Sequence, residues 1–298
     1  MSEADAAGAA GRAAVAEFAA LRVAQAEDPR LAGYRLVAQP SALRRAGCFV
    51  AEGRLVVERL LAEPRYALES LLVSESALAA LAPALRERGR APPIFVGPAA
   101  LFEPLTGHDF HRGCLALVRR PAALTWRELA LRSRVLVVLE AVANPDNIGG
   151  VFRNAAAFGV DGVLLDPASA DPLYRKAIRT SLAATLRVPF ARFGADEPAT
   201  SAEAPAGHWP ECLSELAARG FELIALTPSA GAREIDAFAA APDRAERFAL
   251  LFGTEGNGLS ERALSLCRHR LRIAIRPEVD SLNLAVACGI ALQRLLAR

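Results

Sequence analysis

Two asparagines, a glutamate, a serine and an arginine stand just beyond apolar runs of this chain. Asn147 and Arg153 lie in "NPDNIGGVFRNAAAFG" (144–159), after "RVLVVLEAV". Glu255 lies in "LLFGTEGNGLS" (250–260), and Ser281 and Asn283 lie in "IAIRPEVDSLNLAVA" (273–287). In an open parallel α/β sheet, ligands bind beyond the carboxyl ends of the strands, so these are the residues to weigh for chemistry. Arginine's planar fork suits phosphate and base recognition. Each stretch also has a plain structural reading. Asp146 or Asn147 can cap a helix whose apolar stripe is Ile148, Val151, Phe152, Ala155 and Phe158, with Gly159 as its stop. Arg153 falls off that stripe, one turn beyond Gly149 and Gly150, where small residues let a backbone or a ligand approach. Gly253, Gly256 and Gly258 flank Glu255 in a turn before a helix that starts near Ser260. Asp280 or Ser281 can cap the last helix, which leaves Ser281 and Asn283 at its positive end.

The elements that must hold these residues follow from the apolar pattern. Runs at 134–140, 162–165, 222–226, 247–252 and 271–275 read as strands, with helical segments between them and a long helix closing the chain. Strands apolar on both faces and joined by helices imply a parallel sheet covered on both sides. Upstream, strands in "GCFVAEGRLVVERLLA", "ALESLLVSE", "PPIFVG" and "GCLALVRR" alternate with helices and suggest a smaller α/β domain over 28–118. Residues 1–27 are Ala-rich and read as a tail or a helix, and 119–132 read as the linker to a domain over 133–298. The Pro-, Ala- and Ser-rich stretch 194–211 reads as a surface loop with no part in the core.

Composition bounds the class. Of 298 residues, 53% are hydrophobic, which supports a sizeable core, and the net charge of +2 permits a nucleic-acid partner without demanding one. Lys176 is the only lysine, so the basic surface is arginine. Five scattered cysteines without a C-x-x-C pair, and four histidines without zinc-like spacing, read as reduced thiols in a cytoplasmic protein with no metal. No signal pattern and no run of 18 apolar residues is present, so no membrane is expected. No G-x-G-x-x-G follows the first strand of the second domain, although Asp166 after "GVLL" imitates the acidic ribose-binding residue of dinucleotide-binding folds.

Taken together, the three stretches resemble the three signature motifs, in order and spacing, of the SpoU (TrmH-like) RNA methyltransferases of the SPOUT superfamily. The resemblance covers about 133–298. "FVAEGRLVVERLL" and "HRGCLALV" resemble the substrate-binding domain, related to RNA-binding ribosomal proteins, that precedes the catalytic domain in this family. One departure is Ile273-Ala274-Ile275, where the family usually has Ile-Pro-Met. The resemblance implies an α/β fold with a deep trefoil knot and S-adenosylmethionine as cofactor. It implies cofactor binding by Leu226, Thr227, Gly253, Gly258, Ile273, Ile275 and Leu282. The reaction implied is methyl transfer to a ribose 2′-hydroxyl of rRNA or tRNA. Arg153 would sit at that hydroxyl, and Asn147, Glu255, Ser281 and Asn283 would build the site. It also implies a homodimer with the last helix at the interface. Two rival readings stand beside this one: a SPOUT enzyme that methylates a base, and a non-catalytic RNA-binding protein.

Overall fold

Five consecutive buried apolar residues, Val135–Leu139 (β6), form a central strand of a seven-stranded parallel sheet. The computed structural model describes residues 3–106, 113–194, 209–229, 231–241, 245–276 and 278–296. The chain divides into two units, Met1–Ala122 with Leu173–Leu186, and Ala123–Pro172 with Arg187–Arg298.

The first unit carries α1 (Glu3–Glu17), β1 (Leu21–Arg22), α2 (Pro40–Arg45), β2 (Cys48–Glu52), α3 (Arg54–Leu61), β3 (Leu68–Val73), α4 (Glu75–Arg88), β4 (Ile94–Val96), α5 (Phe102–Thr106) and β5 (Cys114–Arg119). Its sheet runs β1-β4-β3-β5-β2, with β5 antiparallel to both neighbours. Tyr34, Phe102 and Leu72 fill its core, and the buried Tyr34 hydroxyl pairs with Ser70 Oγ at 2.9 Å. The first 27 residues are part of this unit: α1 packs on α4, Glu17 pairs with Arg86 at 2.7 Å, and β1 extends the sheet. A helix from far along the chain, α8 (Arg175–Thr180), also belongs here. Glu52 is buried, and a buried carboxylate must be paired. Arg175 meets it at 3.2 Å and Arg179 at 3.1 Å, while Arg59 and Arg65 donate to the carbonyls of Leu182 and Leu186.

The second unit carries α6 (Trp126–Arg132), β6, α7 (Pro145–Phe158), β7 (Gly162–Leu165), β8 (Phe190–Arg192), α9 (Cys212–Ala218), β9 (Glu222–Leu226), β10 (Arg233–Glu234), α10 (Ile235–Ala239), β11 (Phe248–Phe252), α11 (Glu261–Leu266), β12 (His269–Arg272) and α12 (Leu284–Leu296). Sheet order is β10-β12-β9-β11-β6-β7-β8. On one face Leu136, Val138, Leu164, Ala249 and Leu251 pack with Trp126, Leu213, Leu216 and Ala263 of the covering helices. The alternate residues Val137, Val163, Ile224 and Leu250 are equally buried, as a sheet covered on both sides requires.

Several boundaries differ from the expectations. Residues 126–132 are not linker: Thr125 and Glu128 form a capping box, and Trp126 is sunk in the core. β12 ends at Arg272, so Ile273 and Ile275 lie past the strand, and α12 begins only at Leu284. β8 and β10 are too short to be legible as strands. Trp209, at the end of the stretch expected to have no core role, packs against that core, with its ring 5.2 Å from Phe193; residues 195–208 lie outside the described ones.

α7 and α12 lie unusually close. A Cβ added at Gly150 would collide with the Cβ of Ala285, and Asn154 Nδ2 donates to the Ala285 carbonyl at 2.6 Å. Helix propensity alone would reward Gly150→Ala by about 1 kcal/mol. Because Ala285 has no rotamer with which to yield, overpacking at about 1–3 kcal/mol prevails. Gly150→Ala is therefore expected to lower stability in urea titrations, and Ala285→Gly in the same chain to recover part of the loss.

Candidate functional site at the ends of β6 and β11

Leu139 and Phe252, the last residues of β6 and β11, are partners in register, and Glu140 N–H donates to the Phe252 carbonyl at 2.9 Å. From β6 the chain leaves through α7 toward β7, on one side of the sheet; from β11 it leaves through α11 toward β12, on the other. Divergence of two adjacent strands opens a crevice at their carboxyl ends, the usual ligand site of such sheets.

Asn144 caps α7: its side chain accepts from Asp146 N–H at 2.9 Å, and Pro145 occupies the first turn. The cap is thus neither Asp146 nor Asn147. Relieved of capping, Asn147 is buried one turn in and turns its amide to the crevice, where Nδ2 donates to Glu255 Oε1 at 2.7 Å. Asn283 Nδ2 donates to Asn147 Oδ1 at 3.0 Å and to the same Glu255 oxygen at 3.2 Å. Asn283 Oδ1 accepts from the N–H groups of Ala285 and Val286, at 3.0 and 3.3 Å, and caps α12. The capping role expected of Asp280 or Ser281 belongs to Asn283, and Ser281 is exposed outside the helix.

Three of the residues singled out in the sequence therefore meet: Asn147, Glu255 and Asn283. One carboxylate oxygen of Glu255 receives two amides, and the other makes no hydrogen bond among the described residues. Arg153 does not join them. It is exposed on α7 and makes no hydrogen bond or ion pair with the described residues. Asp166 is buried and turned into its own turn, where Oδ1 accepts from Ser169 N–H at 2.8 Å and Ser169 Oγ at 2.6 Å.

Thr227 and Gly253 follow the neighbouring strands β9 and β11, and Ile273 follows β12 on the far side of β9. They are half-buried, as are Leu226 at the end of β9, Ile275 past β12 and Leu282 ahead of α12. The glycines of the loop have a second reason to be glycine. A Cβ at Gly253 would fall on the Gly258 carbonyl and the Leu259 nitrogen, so the close approach there is made by the chain's own backbone. Gly256 and Gly258 have φ of +101° and +68°, which glycine alone adopts without strain. Gly258 N–H donates to the Thr254 carbonyl at 3.0 Å and closes the turn that carries Glu255. Sequence reasoning passed over Glu140 as the end of an apolar run; its only signal was an acid where a sixth apolar residue would fit. Among the described residues no group of three His, Cys, Asp or Glu is placed to hold a metal, and no helix is long and apolar enough to cross a membrane.

The family model of the SpoU rRNA Methylase family matches residues 134–293. The chain is 36% identical over 273 residues, 90% of its length and 89% of the relative's, to a protein of Mycobacterium bovis named as an uncharacterized tRNA/rRNA methyltransferase. Its fold is similar to that of the AdoMet-bound rRNA methyltransferase from Sinorhizobium meliloti, with a TM-score of 0.72 at 20% identity over 92% of this chain and 96% of that one. It is equally similar to the SpoU methyltransferase AviRb from Streptomyces viridochromogenes in complex with AdoMet, with a TM-score of 0.72 at 22% identity over 91% and 97%.

The packing at Gly253 yields a direct test. Gly253→Ala forces the 253–258 turn open and is expected to cost about 1–3 kcal/mol, the range for overpacking. A urea titration unchanged from wild type would mean that the turn has room that the geometry denies.

Proposed function

The chain belongs to the SpoU rRNA methylase family, and from that membership we propose that it methylates a ribose 2′-hydroxyl of ribosomal or transfer RNA, with S-adenosylmethionine as donor. The observation that carries the reading furthest is the shared carboxylate. Two neutral amides hold Glu255 by one oxygen and leave the other to accept a hydrogen bond from a hydroxyl. That arrangement orients a neutral alcohol better than it would hold a phosphate, which a carboxylate repels.

The residues at and beyond the strand ends fit the cofactor. Half-buried Leu226, Ile273, Ile275 and Leu282 offer apolar walls for an adenosyl group, and the backbone at Thr227, Gly253 and Gly258 offers polar groups without side chains in the way. When bound, the sulfonium supplies an electrophilic methyl group, so no metal is needed to activate it. What the chain must supply is a nucleophile in line with that methyl and a means of stabilising the oxygen as it loses its proton. A guanidinium is a poor base but a good partner for developing negative charge and for an adjacent phosphate, and that is the role assigned to Arg153 in this reading. It makes no hydrogen bond or ion pair among the described residues, which leaves the fork available for RNA in this reading. Ser281, exposed ahead of α12, is placed in this reading among the RNA contacts.

Base methylation by way of a cysteine adduct is disfavoured on chemical grounds. The thiolate is the nucleophile. Burial pushes the thiols of Cys114, Cys212 and Cys267 up to about 12 and raises those of Cys48 and Cys288. The same reading takes the first unit as the RNA-binding module, the C-terminal segment as threaded into a knot, and the protein as a homodimer. Val279 and Val286, 48% and 52% exposed before and within α12, suit the dimer face.

The test is alkaline hydrolysis of RNA methylated by the full-length protein with labelled cofactor. Ribose methylation leaves the label in alkali-resistant dinucleotides; label in mononucleotides would overturn the ribose assignment. Arg153→Ala is expected to stay within the surface range of about ±0.5 kcal/mol in stability. Its single-turnover rate should fall by roughly 100-fold or more, the scale for deleting one charge-stabilising group. Arg153→Lys should not rescue it, since an ammonium cannot hold a hydroxyl and a phosphate with one planar fork. A variant that melts normally and methylates at the wild-type rate removes Arg153 from the reaction.

A further inference from the structure

Glu140 directly follows β6 at the carboxyl end of the strand and is buried. Its carboxylate makes three hydrogen bonds to groups distant in sequence. Oε1 accepts from Trp209 Nε1–H at 2.9 Å and from Ser260 Oγ at 2.7 Å, and Oε2 accepts from Ser260 N–H at 2.8 Å. Ser260 in turn caps α11, its Oγ accepting from Ala263 N–H at 3.2 Å. It is also the downstream anchor of the turn that carries Glu255. The upstream anchor, Gly253, follows Phe252, whose carbonyl accepts from Glu140's own N–H at 2.9 Å. Both ends of the 253–260 loop are therefore tied to one residue, by its backbone at one end and its carboxylate at the other.

We propose that Glu140 is a positioning residue: it fixes the glycine-rich loop so that Glu255 meets Asn147 and Asn283. It touches neither RNA nor cofactor and acts through Ser260. The proposal about the loop stands on geometry alone, and its consequence for catalysis rests on the function proposed above. The chemistry requires a carboxylate. Trp209 Nε1–H and Ser260 N–H can only donate, and they sit on different oxygens of Glu140. A glutamine of the same shape turns its NH₂ toward one of them and leaves a partly buried donor facing a donor, a loss worth a factor of about 10 or more.

The experiment uses the full-length chain and two readouts. Hydrogen exchange of the peptide spanning 250–262 needs neither RNA nor cofactor. Glu140→Gln should speed exchange there by about 10-fold or more while β7 and α12 keep theirs, because one anchor of the loop is lost. Adding Trp209→Phe should bring loop exchange back to within about 2-fold of wild type, since a single obligate donor remains and the glutamine carbonyl can serve it. That double variant also keeps the test decisive if Glu140→Gln alone fails to fold. In single-turnover methylation Glu140→Gln should cost about 10-fold or more in the wild-type chain but less than about 2-fold when Glu255 is already alanine, because residues acting through one another are not additive. Unchanged loop exchange, exchange raised evenly through the unit, or no recovery with Trp209→Phe overturns the assignment, and equal losses in both Glu255 backgrounds overturn its catalytic part. If the wild-type chain transfers no methyl group, the proposed function fails and the exchange result still decides the role of Glu140.

Discussion

Two parallel strands that end side by side, β6 and β11, govern the rest of the second unit. Leu139 and Phe252 are in register, and the chain departs from them in opposite directions across the sheet. Polar groups can enter an apolar core at such a place because the strands have stopped and the helices have not yet covered the gap. What enters is economical: one carboxylate just past β6, one on the loop, and two amides from helix ends. Asn147 and Asn283 meet on one oxygen of Glu255, and Trp209 and Ser260 meet on Glu140, so the two buried groups among them, Asn147 and Glu140, are both paired, as burial requires.

Helix caps and the site are the same problem in this fold. Asn144 takes the cap of α7 and lets Asn147 turn inward, whereas Asn283 caps α12 with its oxygen and holds Glu255 with its nitrogen. A side-chain amide has both a donor and an acceptor, so one residue can join a helix start to a carboxylate; an ionised aspartate, which only accepts, could not serve both, whereas the Ser260 hydroxyl does so at α11 and Glu140. The glycines belong to the same economy of space. Gly150 lets α12 approach α7 closely enough for Asn283 and Asn147 to meet, and Gly253 lets the loop fold back on itself to carry Glu255.

The first unit shows a different constraint. Its buried Glu52 is met by arginines of a helix that the chain supplies more than a hundred residues later. The cost of a buried charge is met by a long-range partner, and the helix with Arg175 and Arg179 is thereby drawn into a unit to which it does not belong in sequence order. A boundary drawn on a linear sequence cannot contain such an exchange.

The sequence by itself determined the things that depend on local composition and period. Apolar runs bounded by helices specified the parallel sheet, the polar stretches after them marked the crevice, and the order of three motifs pointed to the family. It could not assign donors to acceptors. Asp146, Asn147, Asp280 and Ser281 were all chemically able to cap a helix, and the choice of Asn144 and Asn283 follows from where the backbone turns. Trp126 and Trp209 lie in stretches that look like linker and loop because proline and small residues surround them, yet each is held by core residues distant in sequence. Glu140 was hidden for the same reason: an acid at the end of an apolar run carries no local sign of its partners. Of those partners, Ser260 is brought to it by sheet order, because β11 lies beside β6 in space and more than a hundred residues away along the chain, and Trp209 by the packing of its ring against Phe193.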